Sequence, residues 1–171
     1  METWDAITAR RNVREFSDQP IPDEDLDRVL EAGRIAPSSQ NHQLWDFVVV
    51  TERELLRHLS TVWRGGGHIA RAAAAIAMVI PDESEPRARE RNRFDIGQAA
   101  MQMMIAAADR GVGSGHSAVG DQALARSILG VPADKIVAFV IDLGYPAGPP
   151  LRPGTRLKRR SFEDVVHRNG W

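Results

Sequence analysis

Two stretches of positive charge stand near opposite ends of the sequence. Residues 10–14 read RRNVR, and residues 158–160 read KRR. A phosphate monoester carries close to two negative charges near neutral pH, and guanidinium groups match its oxygens with paired, charge-assisted hydrogen bonds. Taken singly, each stretch is also typical of solvated surface. Taken together, they indicate one anion site built from both.

A second candidate is the run of small polar side chains in residues 36–45, APSSQNHQLW. Serine, asparagine and glutamine offer donors and acceptors that suit the polar edge of a heteroaromatic ring without adding charge. Ordinary turn chemistry after a proline explains the same composition. By composition alone, the turn interpretation is favoured.

Residues 111–116, GVGSGH, superficially resemble a phosphate-cradling loop. They follow a predicted helix rather than a strand, so neither the dinucleotide fingerprint nor a Walker loop has its required setting. Close approach of this backbone to a flat ligand is one interpretation, and a loop that caps the preceding helix is the favoured one. The five histidines show no metal-ligand spacing, and no serine lies in a nucleophile-elbow motif. We therefore expect no metal and no serine triad.

Composition favours one globular domain over residues 1–171. The chain is 43% hydrophobic and 26% charged, with a formal net charge of -1, which argues against nucleic acid or an anionic membrane as partner. Cysteine is absent, so redox chemistry would need a bound cofactor. The first residues lack the pattern of a secretory signal, and no apolar run approaches the roughly 20 residues of a membrane span. We expect a cytoplasmic protein.

Hydrophobic spacing predicts the elements that must hold these residues. A short helix with Trp4 and Ile7 on one face leads into the basic stretch, and a second helix begins at Asp23. Strands are predicted at 47–50, in the second half of 72–80 and at 136–143, with helices at 52–59 and 122–129.

The middle of the chain contains the clearest helix, residues 95–109. Its apolar side chains keep one stripe through four turns and predict a central position: Ile96, Ala99, Ala100, Met103, Met104, Ala107. The preceding residues 81–93 are charged and lack apolar periodicity, so we predict an exposed loop and a candidate lid. Residues 111–120 are predicted to be a glycine-rich loop.

Five segments in this order resemble the nitroreductase family. They are residues 10–16 (RRNVREF), 36–45 (APSSQNHQLW), 95–97 (DIG), 111–113 (GVG) and 159–167 (RRSFEDVVH), and together they cover essentially the whole chain. The chain departs from the usual pattern at Asn12, where serine is common, at Leu44, where proline is common, and at Leu157, where lysine is frequent.

The resemblance implies an α+β fold with a central, mostly antiparallel sheet flanked by helices, in a homodimer that binds FMN between its subunits. It assigns the phosphate and ribityl chain to the basic residues and places the polar loop and the glycine-rich segment beside the ring. The cofactor-binding residues so implied are Arg10, Arg11, Asn12, Arg14, Pro37, Ser38, Ser39, Asn41, Gln43, Gly113, Ser114, Gly115, Arg159 and Arg160.

The implied activity is that of an FMN-dependent oxidoreductase with a two-step mechanism. NADH or NADPH gives hydride to the flavin and leaves, and a nitroaromatic, quinone or similar small acceptor then takes the electrons. Because the protein mainly positions the cofactor, no side chain is assigned as a general acid or base. Three alternatives stay open: a flavin-binding or redox-sensing protein without turnover, a dehalogenating relative, and a relative that fragments its own flavin.

Overall fold

The structure is a computed structural model that describes residues 1–154 and 159–171. Leu157 and Lys158, which bear on the predicted anion site, lie outside the described residues. The helices are α1 (Thr3–Ala9), α2 (Asp23–Arg34), α3 (Arg53–Leu59), α4 (Pro86–Asp109) and α5 (Gln122–Leu129). The strands are β1 (Asp46–Val50), β2 (Ala74–Pro81), β3 (Gly113–Ser117) and β4 (Lys135–Gly144), and short 3-10 helices occupy Ser39–Asn41 and Gly67–Arg71.

The strands form one antiparallel sheet in the order β1-β2-β4-β3. Alternate residues of β2 pack on opposite faces: Ile76 and Met78 face the cluster that includes α2 and α4, and Ala75 and Ala77 face the cluster that includes α3 and α5. Since side chains in a strand alternate, a strand buried on both faces must be apolar throughout, as β2 is. This arrangement confirms the predicted α+β class and the antiparallel sheet.

Helix α4 confirms the predicted central helix, since the six apolar residues of its stripe are all buried. The exposed loop predicted for residues 81–93 is wrong from Pro86 onward, because α4 begins there. Glu85 caps the helix by accepting hydrogen bonds from the backbone N–H groups of Arg87 and Ala88, at 3.0 and 2.6 Å. These bonds lower the pKa of Glu85. The first turns lack apolar periodicity because they are largely exposed to solvent, not because they are unfolded.

Two other expectations are also wrong. Residues 113–117 are not loop but the edge strand β3, paired with β4 along its whole length. Trp4 and Ile7 do not face the core, being 72% and 40% exposed, and α1 instead packs through Ala6 and Ala9. The remaining predicted helices and strands are confirmed to within a few residues. No helix in the described part of the chain is both long and apolar enough to cross a membrane.

Candidate functional site

The basic stretch, residues 10–14, runs along the free edge of β3. Asn12 forms a parallel bridge with Ser114, and the N–H of Val13 donates to the carbonyl of Ser114 at 2.9 Å. Val13 is buried in a small cluster that includes Ala9 and Ala108. Because one residue of the stretch is anchored inward, its polar neighbours are turned toward solvent.

The segment after β4 holds the other side of this stretch. Phe16 forms an antiparallel bridge with Pro146, and the N–H of Ala147 donates to the carbonyl of Glu15 at 3.0 Å. Between the two strips of chain lies a shallow cavity of about 280 Å³, whose lining includes two arginines, Arg11 and Arg14, and one acidic residue, Glu15, together with Asn12 and Pro146. The sheet and the segment after β4 thus fix the basic residues around one opening.

The guanidinium groups at this opening form no ion pair among the described residues. Arg11 donates to the carbonyl of Pro149 at 2.7 Å, and Arg10 donates to Oδ1 of Asn12 at 3.3 Å. Three arginines within five residues repel one another, and an anion relieves that repulsion. The charge pattern suits a phosphate group.

The glycines of β3 allow the basic stretch to lie against the strand. A Cβ on Gly113 would come within 2.7 Å of the Val13 side chain, and one on Gly115 would come within 2.7 Å of the Val13 carbonyl oxygen and of Oδ2 of Asp142. Gly113, Ser114 and Gly115 are buried in the chain, and the exposed residue of the strand is His116. Direct contact of these three residues with a cofactor stays a prediction.

The polar loop, residues 37–43, has a strained backbone. Gln40, Asn41 and Gln43 have φ values of 53°, 59° and 52°. For residues other than glycine this left-handed region costs roughly 1–2 kcal/mol each, and such strain concentrates at functional sites. The Oγ of Ser38 accepts from the N–H of Gln43 at 2.9 Å, which helps to hold the loop closed.

Asp95 of α4 anchors the polar loop. Its carboxylate accepts hydrogen bonds from the backbone N–H and the Oγ of Ser39, both at 3.0 Å. Pro37, Asn41 and Gln43 remain exposed, whereas Ser38 and Ser39 are half-buried. The loop therefore presents a proline and two amide side chains on a fixed backbone.

The basic stretch and the polar loop are attached at different points of α4, the first near its C-terminal end and the second near its middle. The loop is bound to Asp95, and the basic stretch packs beside Ala108. At about 1.5 Å per residue, these two attachment points are roughly 20 Å apart along the helix. The two groups of predicted ligands are thus attached at well-separated points of one helix.

The tail carries Arg159 and Arg160, both exposed. Arg160 donates to the backbone carbonyl of Asp164 at 2.6 Å. The convergence of these tail arginines with the basic stretch stays a prediction.

Sequence reasoning missed a buried histidine–carboxylate pair behind β3. Nδ1 of His68 lies 2.8 Å from Oδ2 of Asp142, and the two side chains are 7% and 0% exposed. The signal was present: Asp142 interrupts the apolar run of β4, and an acidic residue in a buried strand needs a partner. Asp95 was quoted only as part of a motif, and its role as anchor of the polar loop was also missed.

Comparisons with known proteins agree on one family. The model of the nitroreductase family matches residues 7–78 and 60–145. A protein of Archaeoglobus fulgidus with the provisional name NADH dehydrogenase/NAD(P)H nitroreductase is 31% identical over 169 residues, covering 96% of each chain.

Two solved structures share the fold and about a quarter of the sequence. The FMN-dependent nitroreductase of Clostridium difficile superimposes with a TM-score of 0.80 at 26% identity, covering 97% of this chain and 98% of that one. The NADPH:FMN oxidoreductase of Vibrio harveyi in complex with NAD+ gives a TM-score of 0.84 at 26% identity, covering 97% of this chain and 76% of that one.

Proposed function

The chain belongs to the nitroreductase family, and on that premise we propose that it is an FMN-dependent oxidoreductase that uses NADH or NADPH to reduce nitroaromatic, quinone or similar electron-poor acceptors in two steps. The observation that carries the proposal is the basic stretch: Arg11 and Arg14 line one cavity at the edge of the sheet, and none of its three arginines forms an ion pair in the described part of the chain.

The donors at this opening fit the phosphate end of FMN. Arg10, Arg11 and Arg14 supply the positive charge, and Asn12 adds an amide at the same edge. The polar loop offers Asn41 and Gln43, which can meet the donors and acceptors of a flavin edge. When bound, FMN supplies the two-electron chemistry, and the side chains hold it in place and tune its electronic properties.

We further propose that the working form is a homodimer in which each FMN site takes its basic stretch from one subunit and its polar loop from the other. The separation of roughly 20 Å along α4 supports this arrangement, because the basic stretch and the polar loop of one chain are attached at well-separated points of that helix. Large apolar side chains exposed on α1, α4 and the tail supply a surface to bury: Trp4, Phe94, Met101, Trp171.

The activity is tested with purified protein in two measurements. We expect the absorption spectrum of bound oxidised flavin and, after anaerobic mixing with NADH or NADPH in a stopped-flow instrument, bleaching of that absorption followed by its return when a quinone or nitroaromatic is added. Bound flavin that neither donor bleaches would reject the reductase and leave a flavin-binding or redox-sensing protein. Turnover of a halogenated aromatic alone, or loss of the flavin itself, would favour the corresponding alternatives.

The shared site is tested by mixing subunits that carry different defects. Arg14→Ala damages the phosphate side, and Asn41→Asp puts a negative charge on the ring side with a residue that also tolerates positive φ. In a shared site, random remixing of the two variants restores native FMN affinity to about a quarter of all sites, since half of the dimers are mixed and each has one intact site. If every contact came from one chain, remixing would restore none.

A further inference from the structure

His68 and Asp142 form a polar unit inside an otherwise apolar layer. Asp142 lies on the face of β4 that packs toward α3 and α5, with Val140 two residues before it on the same face. His68 belongs to the 3-10 helix Gly67–Arg71, which packs beside α3. The pair therefore joins the 3-10 helix to the sheet, with both side chains largely removed from solvent.

Packing alone does not account for this pair. Burial of a carboxylate costs several kcal/mol unless all its hydrogen-bonding capacity is used. Oδ2 of Asp142 faces His68, but Oδ1 has no hydrogen-bond partner among residues 1–154 and 159–171. An apolar residue at this position would fill the same layer without that cost. A charge kept here at a loss of stability suggests a role outside folding.

The carboxylate touches the strand that carries the candidate site. Asp142 is registered opposite Gly115, and a Cβ on that glycine would lie 2.7 and 2.9 Å from the two carboxylate oxygens. The same Cβ would meet the carbonyl oxygen of Val13 at 2.7 Å. The negative charge thus lies directly behind the point where β3 and the basic stretch meet.

We propose that Asp142, held by His68 behind Gly115, sets the reduction potential of the flavin bound at this strand. The inference rests on the proposed function, and in particular on the predicted position of the flavin ring beside Gly115. An ionised carboxylate in a low-dielectric interior acts over a longer range than one in water, and it opposes the addition of electrons to a nearby group. The hydrogen bond between Nδ1 of His68 and Oδ2 of Asp142 holds the carboxylate in this position.

The decisive variant is Asp142→Asn, which keeps the shape and an acceptor for His68 but removes the charge. We expect the midpoint potential of bound FMN to become more positive, with the ratio of reduced to oxidised cofactor affinity raised at least tenfold. For a two-electron couple this corresponds to about 30 mV. The measurement is an anaerobic equilibrium titration against a reference dye.

Two further variants separate charge from structure. His68→Gln retains the carboxylate and offers it an N–H donor, so the affinity ratio is expected to stay within threefold of the native value. The double change of His68→Leu with Asp142→Val replaces the whole pair by apolar groups, which proteins frequently tolerate, and it should give the same positive shift as Asp142→Asn. If Asp142→Asn does not fold, the double variant still tests whether removal of the charge shifts the potential.

The matched control is Asp25→Asn. Asp25 is 6% exposed, is paired with Arg110, and lies in α2 on the opposite face of the sheet. Equal shifts in Asp25→Asn and Asp142→Asn, or no shift in either charge-removing variant at position 142, would overturn the inference while leaving the oxidoreductase intact. A native protein that binds no FMN would overturn the proposed function and the inference together.

Discussion

Loss of Arg14 should weaken FMN binding through the phosphate alone. Arg14 is exposed and makes no hydrogen bond or ion pair in the described part of the chain, so Arg14→Ala leaves no stranded carboxylate behind. Exposed substitutions of this kind change the free energy of unfolding by about 0.5 kcal/mol or less. The variant should therefore fold normally and report on the cofactor.

The expected loss follows from the type of bond removed. A hydrogen bond to a charged group contributes roughly 1.5–3 kcal/mol, and about 1.36 kcal/mol corresponds to a factor of ten. The dissociation constant for FMN should rise about 10- to 150-fold, and Arg10→Ala should fall in the same range. The assay is a titration of FMN into apoprotein, followed by quenching of flavin fluorescence.

Riboflavin gives the internal control, because it has the ring and the ribityl chain but no phosphate. Its affinity should be the same in native protein and Arg14→Ala, and added salt should weaken FMN binding more than riboflavin binding. Arg57→Ala, which removes an exposed arginine of α3 paired with Glu54, should change neither affinity. Equal losses for FMN and riboflavin, or an unchanged FMN affinity, would refute the phosphate assignment.

Three more predictions concern stability and are read from urea unfolding. Gly115→Ala should lower the free energy of unfolding by roughly 1–3 kcal/mol, because its Cβ has no room; the control Gly67→Ala, with open space around the Cβ, should cost less than half of that. Asn92→Leu should raise the free energy of unfolding by roughly 1 kcal/mol, since both amide atoms of this 2% exposed residue lack hydrogen-bond partners among the described residues. A lower free energy of unfolding in this variant would contradict the absence of a partner. The Glu85 cap has a lowered pKa in the folded chain, so its contribution is present above the ordinary value of 4.5 and is lost as the pH falls through the lower folded value. In Glu85→Gln the free energy of unfolding should fall less steeply at acidic pH than in native protein. An unchanged slope of the free energy of unfolding against pH would contradict the role of Glu85 as a helix cap.

The fold was predictable wherever an element buries one face, because its apolar residues then recur at a regular spacing in the sequence. The stripe of α4 from Ile96 to Ala107 and the apolar run of β4 both marked their elements correctly. The first turns of α4 were not predictable in this way, because a solvent-exposed helix end has no apolar face to reveal it. Its cap, Glu85 before Pro86, was the available signal, since proline suits the first turn of a helix.

The site was harder to predict because its groups meet only in the folded chain. The sequence indicated an anion site only when residues 10–14 and 158–160 were taken together. The structure places Arg11 and Arg14 around one cavity, and Lys158 lies outside the described residues, so the joint site stays a prediction. The strand β3 was mistaken for a loop because glycines are typical of turns. Here they are needed for a different reason, since the backbone of β3 lies too close to Val13 to leave room for a Cβ. Asp142 within the apolar run of β4 indicated that a partner was needed, but His68 lies 74 positions away and no local pattern could identify it as that partner.

The bridges from Asn12 to Ser114 and from Phe16 to Pro146 have a kinetic consequence. Since the backbone is bridged at Asn12 and at Phe16, on either side of Arg14, this part of the phosphate site is already ordered before the cofactor binds, and little chain entropy is lost on binding. Reconstitution of apoprotein should then proceed at an encounter-limited rate that depends on ionic strength, and retention of the prosthetic group should be decided by how quickly it escapes.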